Sequence, residues 1–252
     1  MLIYSLCRNI ILVGAILATS QTQAQDSYQP GGFMYVNHIQ NAALVNLTIN
    51  PVVDEIENAS AKKTSTPVNA PPKLTPAAIA SLGFTASSQR RTTNLDKIFA
   101  AMDVKVPGVG SQLKEAFAAN NIYGEVEKIM GTYAMRTDNI ADAFAMYWVA
   151  SWQVANGVEA EPSKASVAAV KRQAAQAMLA VDGVKSMSPA AKQEMADGLI
   201  VSLVLISAAQ EGAKADPSQK AMIAQQANDD ARTLGLDHSL FTLTDAGFVA
   251  AR

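Results

Sequence analysis

Residues 138–157, DNIADAFAMYWVASWQVANG, decide how the rest of the chain is read. Between Ile140 and Ala155 only Asp142, Ser151 and Gln153 are plainly polar. On a helical wheel of roughly 100° per residue, Met146, Val149, Gln153 and Asn156 fall near Asp142, and Ile140, Phe144, Tyr147, Trp148, Ser151 and Ala155 gather opposite. A helix apolar over most of its circumference belongs inside a bundle. The small residues Ala141, Ala143, Ala145, Ala150 and Ser151 let neighbouring helices approach closely. Both tryptophans of the chain lie here, four apart, and at that spacing they read as core. Thr137 or Asp138 is expected to cap the start, Asp142 lies at the positive end of the helix dipole, and Asn156-Gly157 stops the helix.

Working outward, the 252 residues carry 49% apolar and 17% charged residues and a formal net charge of −2, a balance that points to no nucleic-acid partner. Residues 1–24 read as a secretory signal: Arg8 gives the positive start, IILVGAILA at 10–18 is an apolar run too short for a membrane span, and Thr22-Gln23-Ala24 is the cleavage signature. The one cysteine, Cys7, precedes that apolar run, so the processed chain is expected to contain none. This excludes disulfides, thiol catalysis and cysteine-ligated metals, and fits export in bacteria to the periplasm or beyond. After the signal no membrane span is expected.

Residues 25–57 form an amino-terminal arm with short apolar runs at 33–39 and 42–49. They read either as a hairpin laid on the main body or as a segment that orders on a partner. Residues 58–77, NASAKKTSTPVNAPPKLTPA, are rich in Pro, Ser, Thr and Ala and read as a linker. The remainder, 78–252, reads as one helical domain. Short helices are expected at 95–102, 112–119 and 124–130. Long ones are expected to start at Glu161-Pro162, Ser188-Pro189 and Asp216-Pro217, where a capping residue precedes a proline. In the last helix Gln219, Gln226 and Asp230 are assigned to solvent, and Met222, Ile223 and Leu234 to the interior. Short connections then give a mainly α fold, an up-and-down bundle of four long helices plus shorter ones. The tail at 240–249 alternates and is expected to form a small β element, with the arm as a candidate partner strand.

The densest cluster of reactive side chains is Tyr133, Arg136, Asp138, Asn139 and Asp142. It reads as a binding site, with Arg136 holding a carboxylate or phosphate, or as a capping cluster in which Asp138 satisfies free amides and Arg136 pairs with Asp142. Asp138 and Asp142 share a face if both are helical, and carboxylates at a helix start should be stabilised as anions. The two histidines, His38 and His238, are far apart, and no metal-ligand spacing or cofactor motif is present. Neither histidine has a distinctive setting. MRTDNIADAFAMYWVASW, preceded by a helix carrying Gly124 and Gly131 and trailed by alanine-rich helices, resembles a family of exported bacterial proteins of unknown function. The resemblance covers roughly residues 80–252, rests on residues 136–148, and implies export and a helical domain with no assigned activity.

Two functions follow from these residues. One is a monomeric, non-enzymatic exported protein that binds a protein or small molecule, with the arm as its binding element. The other is a cell-envelope hydrolase using paired carboxylates drawn from Glu125, Glu127, Asp138, Asp142 and Glu194.

Overall fold

The computed structural model describes residues 74–233 and 236–251. The leader at 1–24, the arm at 25–57 and nearly all of the linker lie outside the described residues. The fold is mainly α: α1 Pro76–Ala80, α2 Ser88–Lys105, α3 Val109–Ala119, α4 Ile122–Thr132, α5 Ile140–Ala155, α6 Lys164–Ala180, α7 Asp182–Lys185, α8 Pro189–Gly212 and α9 Pro217–Thr233. A 3-10 turn, His238–Leu240, then leads into a hairpin of β1 Phe241–Thr244 and β2 Gly247–Ala250.

Helix α5 is the hub. It is buried from Ile140 through Val154 without a break, Asp142 and the residues that share its side of the wheel, Met146, Val149 and Gln153, included. Its neighbours are α8, α6 and α9, which surround it rather than forming a ring of equal partners. Gly157 ends it in the left-handed conformation expected of a glycine stop. Caps at Ser188 and Asp216 also fall where the sequence puts them: the Ser188 hydroxyl accepts from Ala191 N, and Asp216 Oδ1 accepts from Ser218 N and Gln219 N. By length and composition α8 is able to cross a membrane, but most of its apolar stretch is buried inside the protein.

Four details differ from the sequence reading. The helix expected from Glu161-Pro162 begins at Lys164, because Ser163 supplies the better cap, accepting from Ser166 N. The helix expected at 95–102 extends over Ser88–Lys105 and is a fifth long helix. Its first half carries no apolar periodicity and is held by polar contacts instead. The dry face of α9 is Ala227, Asp230 and Ala231, and Met222 is 37% exposed. Asp230, with Gln226 Nε2 donating to its Oδ1 at 2.9 Å, faces inward. Two helices also approach more closely than periodicity reveals: a Cβ on Gly110 of α3 would stand 1.8 Å from Phe99 O of α2, so glycine is required there.

The first half of α8 fastens α1, α2 and α4. Lys192 Nζ donates to Ser81 O at 2.5 Å. The Gln193 side chain accepts from Ser87 N and donates to Ser87 O. Asp197 is fully buried, accepting from Asn94 Nδ2 at 2.8 Å and from the Tyr123 hydroxyl at 2.7 Å. Arg91 approaches the same carboxylate at 3.6 Å and lies over the Tyr123 ring. Removing this carboxylate strands two buried donors and takes the counter-charge from Arg91. Asp197→Ala is therefore expected to lower the unfolding free energy by about 3 kcal/mol, and Tyr123→Phe by about 1 kcal/mol. Urea denaturation of the two variants beside the parent measures both, and equal small losses would contradict the assignment.

Candidate functional site

The cluster predicted from sequence is brought together at the amino end of α5. Tyr133 closes α4, and its hydroxyl donates to Glu161 Oε1 at 2.9 Å. Ala134 takes a positive φ of 54°, which turns the chain so that Met135 N bonds back to Met130 O. The turn exposes Arg136, whose side chain is 73% accessible. Its guanidinium forks onto Asp138, Nε to Oδ1 at 2.7 Å and Nη2 to Oδ2 at 2.5 Å.

Asp138 is neither cap nor helical. The helix starts at Ile140, and the cap is Asn139, whose Oδ1 accepts from Ala141 N and Asp142 N. Asp138 instead sits in a short extended crossing, where Phe84 N donates to Asp138 O and Gly83 bridges Asn139. It therefore shares no helical face with Asp142. Asp142, only 3% exposed, accepts from Arg136 N at 2.9 Å and from Lys171 Nζ of α6 at 3.1 Å. So Asp142 pairs with Lys171, while Arg136 reaches it through its main chain.

Burial overturns the electrostatic expectation for Asp142. Its carboxyl is held above the ordinary value because it is taken out of water, with Lys171 and the Arg136 amide pulling the other way. The helix dipole stabilises a carboxylate at a helix start, and at Asp142 the loss of hydration outweighs it. Tyr133 is likewise pushed up, first by burial and then by its bond to Glu161. With two carboxylates facing Arg136 and Lys171, the cluster is internally neutralised.

The carboxylates considered for hydrolysis are mostly paired. Glu125 bonds Lys128, Glu194 bonds Lys97, Asp138 bonds Arg136 and Asp142 bonds Lys171. Among the described residues no group of acidic or histidine side chains is arranged to hold a metal ion.

A second polar site lies deep in the core and was missed. His238, 0% exposed, places Nε2 2.8 Å from the Ser151 hydroxyl of α5. Its Nδ1 is buried with no hydrogen-bond partner among the described residues. Burial drives the imidazole down to about 4, against the opposing pull of Asp237. Beside Ser151 on α5, the buried Tyr147 phenol is pushed up by burial and then by the charge of Asp230. One residue on from Ser151, Trp152 Nε1 donates to Phe241 O at 3.0 Å. The signal was available: Ser151 lies on the apolar side of the wheel, and a buried hydroxyl needs a partner. The histidine nearest the carboxy end was the group to test against it. With no solvent path to either atom, the pair pins the 3-10 turn and hairpin to α5.

Two outcomes follow. Asn139→Ala is expected to cost about 1 kcal/mol as a lost cap, whereas Arg136→Ala, an exposed pair, is expected to leave the melting temperature nearly unchanged; thermal melts rank them. For His238 the folded value is depressed below the unfolded value near 6.5, so the unfolded chain binds more protons between these limits. Stability is then expected to fall by about 3 kcal/mol as pH drops from 6.5 to 4. His238→Gln is expected to remove that slope, and parallel pH profiles of parent and variant would contradict it.

A family model described as "Family of unknown function (DUF6683)" matches residues 7–251. Comparison with curated proteins and with solved structures gave no match.

Proposed function

The chain belongs to this family of unknown function, and we propose that it is an exported, non-enzymatic binding protein. In this reading residues 1–24 direct export and are removed, 78–252 form a stable body, and 25–57 carry the binding surface on the linker at 58–77. One observation carries the non-enzymatic part. Tyr133, Arg136, Asp138, Asn139 and Asp142 each have a partner within the protein, and the cluster's charges cancel. A general acid or base needs a group poised near the working pH and open to substrate. Asp142 is buried against Lys171, and Asp138 is gripped by Arg136. Tyr133, Asn139 and Asp142 serve the fold, which leaves Arg136 as the one exposed member able to contact a ligand.

Export and binding are tested separately. Expressed from its first methionine in a bacterial host and recovered from periplasm or medium, the protein is expected to begin at Gln25 by amino-terminal sequencing. An intact Met1 in the cytoplasm or membrane would overturn the export reading. Capture of a protein or ligand from envelope extract by the processed chain is expected to be lost when residues 25–57 are deleted and the helical circular dichroism is retained. Undiminished capture would move the binding surface to the body.

A further inference from the structure

His238 lies between the helical body and the carboxy-terminal hairpin, in surroundings that suit a neutral ring and not a charge. The imidazole is fully buried, its Nε2 meets the Ser151 hydroxyl at 2.8 Å, and its Nδ1 has no partner among the described residues. A neutral imidazole carries one ring N–H and one bare nitrogen, and a single hydroxyl can serve either. An imidazolium carries two N–H donors and a charge, and the second donor points into dry protein, where an unpaired donor is costly.

The charged and titratable groups around the ring offer it little help. On its own segment Asp237 pulls towards the cation, but that carboxylate is already engaged: Oδ1 accepts from Ser239 N and Oγ, and Oδ2 accepts from Arg232 Nε at 3.2 Å. From α9, Arg232 adds a repelling positive charge, while Asp230 accepts from Gln226 and acts on Tyr147. From α5 the titratable group is Tyr147, whose phenol burial keeps neutral, so it supplies no counter-charge.

The hairpin is fastened to the body along one seam. Besides the His238 contact, Trp152 Nε1 donates to Phe241 O. The Gln173 side chain of α6 donates to Phe248 O at 2.8 Å and accepts from Phe248 N at 2.9 Å. Ser163 Oγ donates to Asp245 Oδ1 at the exposed turn. The rings of Trp148 and Trp152 pack on Phe248, and Trp148 also meets Phe241 edge-on. The contacts of α5 with α6, α8 and α9, the Asp142–Lys171 pair among them, do not pass through the hairpin. The hairpin is therefore able to leave while the helices stay packed.

We propose that His238 is an acid-operated latch: its protonation releases the 3-10 turn and hairpin from α5 and uncovers the rings of Trp148 and Trp152 while the helices stay folded. In the open form the imidazole has its ordinary value near 6.5, and in the closed form burial holds it at about 4. The open form binds more protons between these limits, so opening is favoured as pH falls and gains nothing further below about 4. From pH 7 to 4.5 the ratio of open to closed molecules rises about fiftyfold. The loss of stability in acid is then taken first at this seam. The latch rests on neither export nor a binding arm.

The test is native-state hydrogen exchange of the full chain at pH 7 and at pH 4.5, with each rate corrected for the intrinsic chemistry at its pH. The Phe248 amide and the Trp152 indole N–H are the reporters, because both are donated across the seam. Their opening constants are expected to rise about fiftyfold on acidification. They are also expected to exceed those of the α5 amides at both pH values and to depend little on denaturant. Reporters that share the free energy and denaturant slope of α5 would overturn the latch, because the hairpin would then leave only with the whole fold. A rise below about fivefold would overturn it too. His238→Gln keeps a donor and an acceptor for Ser151 but does not titrate, and is expected to hold the rise under about threefold. A rise like the parent's in this variant would assign the acid response to another group and discard the latch. If the variant fails to fold, the parent's reporters decide alone.

Discussion

Among the described residues, α6, α8, α9 and the carboxy-terminal hairpin are arranged to cover α5. A helix with no wet face stabilises the fold only if other elements enclose it, and burying its large side chains contributes roughly 1.5–3 kcal/mol each. The few polar atoms it carries then specify which element goes where. Asn139 caps its start, Asp142 selects Lys171 on α6, Ser151 selects His238, Trp152 selects the Phe241 carbonyl, and Gln153 donates to Ala160 O in the loop before α6. Apolar contact supplies the energy. These bonds, each costly to leave unmade in a dry interior, supply the register. Trp148 stacks on Phe248 with ring centroids 4.5 Å apart, so the hairpin acts as the lid of the same core.

Helix α8 divides the work along its length. Its second half is apolar and lies against α5; its first half carries Lys192, Gln193 and Asp197, which hold the segment from Ser81 to Asn94. That division explains why α2 begins so far ahead of its first apolar residue. Its polar residues are interior contacts to α8, with Asn94 buried beside Asp197.

What could be read from the sequence follows the same boundary between pattern and partner. The mainly α fold, the dryness of α5 and α8, the caps at Ser188 and Asp216, and the buried face of α6 at Val167, Val170, Ala174 and Met178 all come from local periodicity or local capping chemistry. The start of α2, the inward turn of Asp230 and the Ser151–His238 pair depend on groups distant in sequence, and periodicity carries no information about them. The candidate cluster shows both limits. Its members were found because they are close in the chain, but their pairing was not. Thr137 or Asp138 is the cap expected from sequence, and Asn139, one residue on from Asp138, makes it. The helix dipole predicts a stabilised anion at Asp142, and periodicity does not show that the side chain is buried against Lys171 of α6.

The most direct test of α5 as the hub is native-state hydrogen exchange across the series of its amides from Ala143 to Val154, measured against denaturant. If the helix is enclosed by α6, α8, α9 and the hairpin, these amides exchange only through global unfolding, sharing one free energy and the full denaturant slope. Exchange of the same amides by local opening, with a lower free energy and little denaturant dependence, would contradict the account and place the organising core elsewhere.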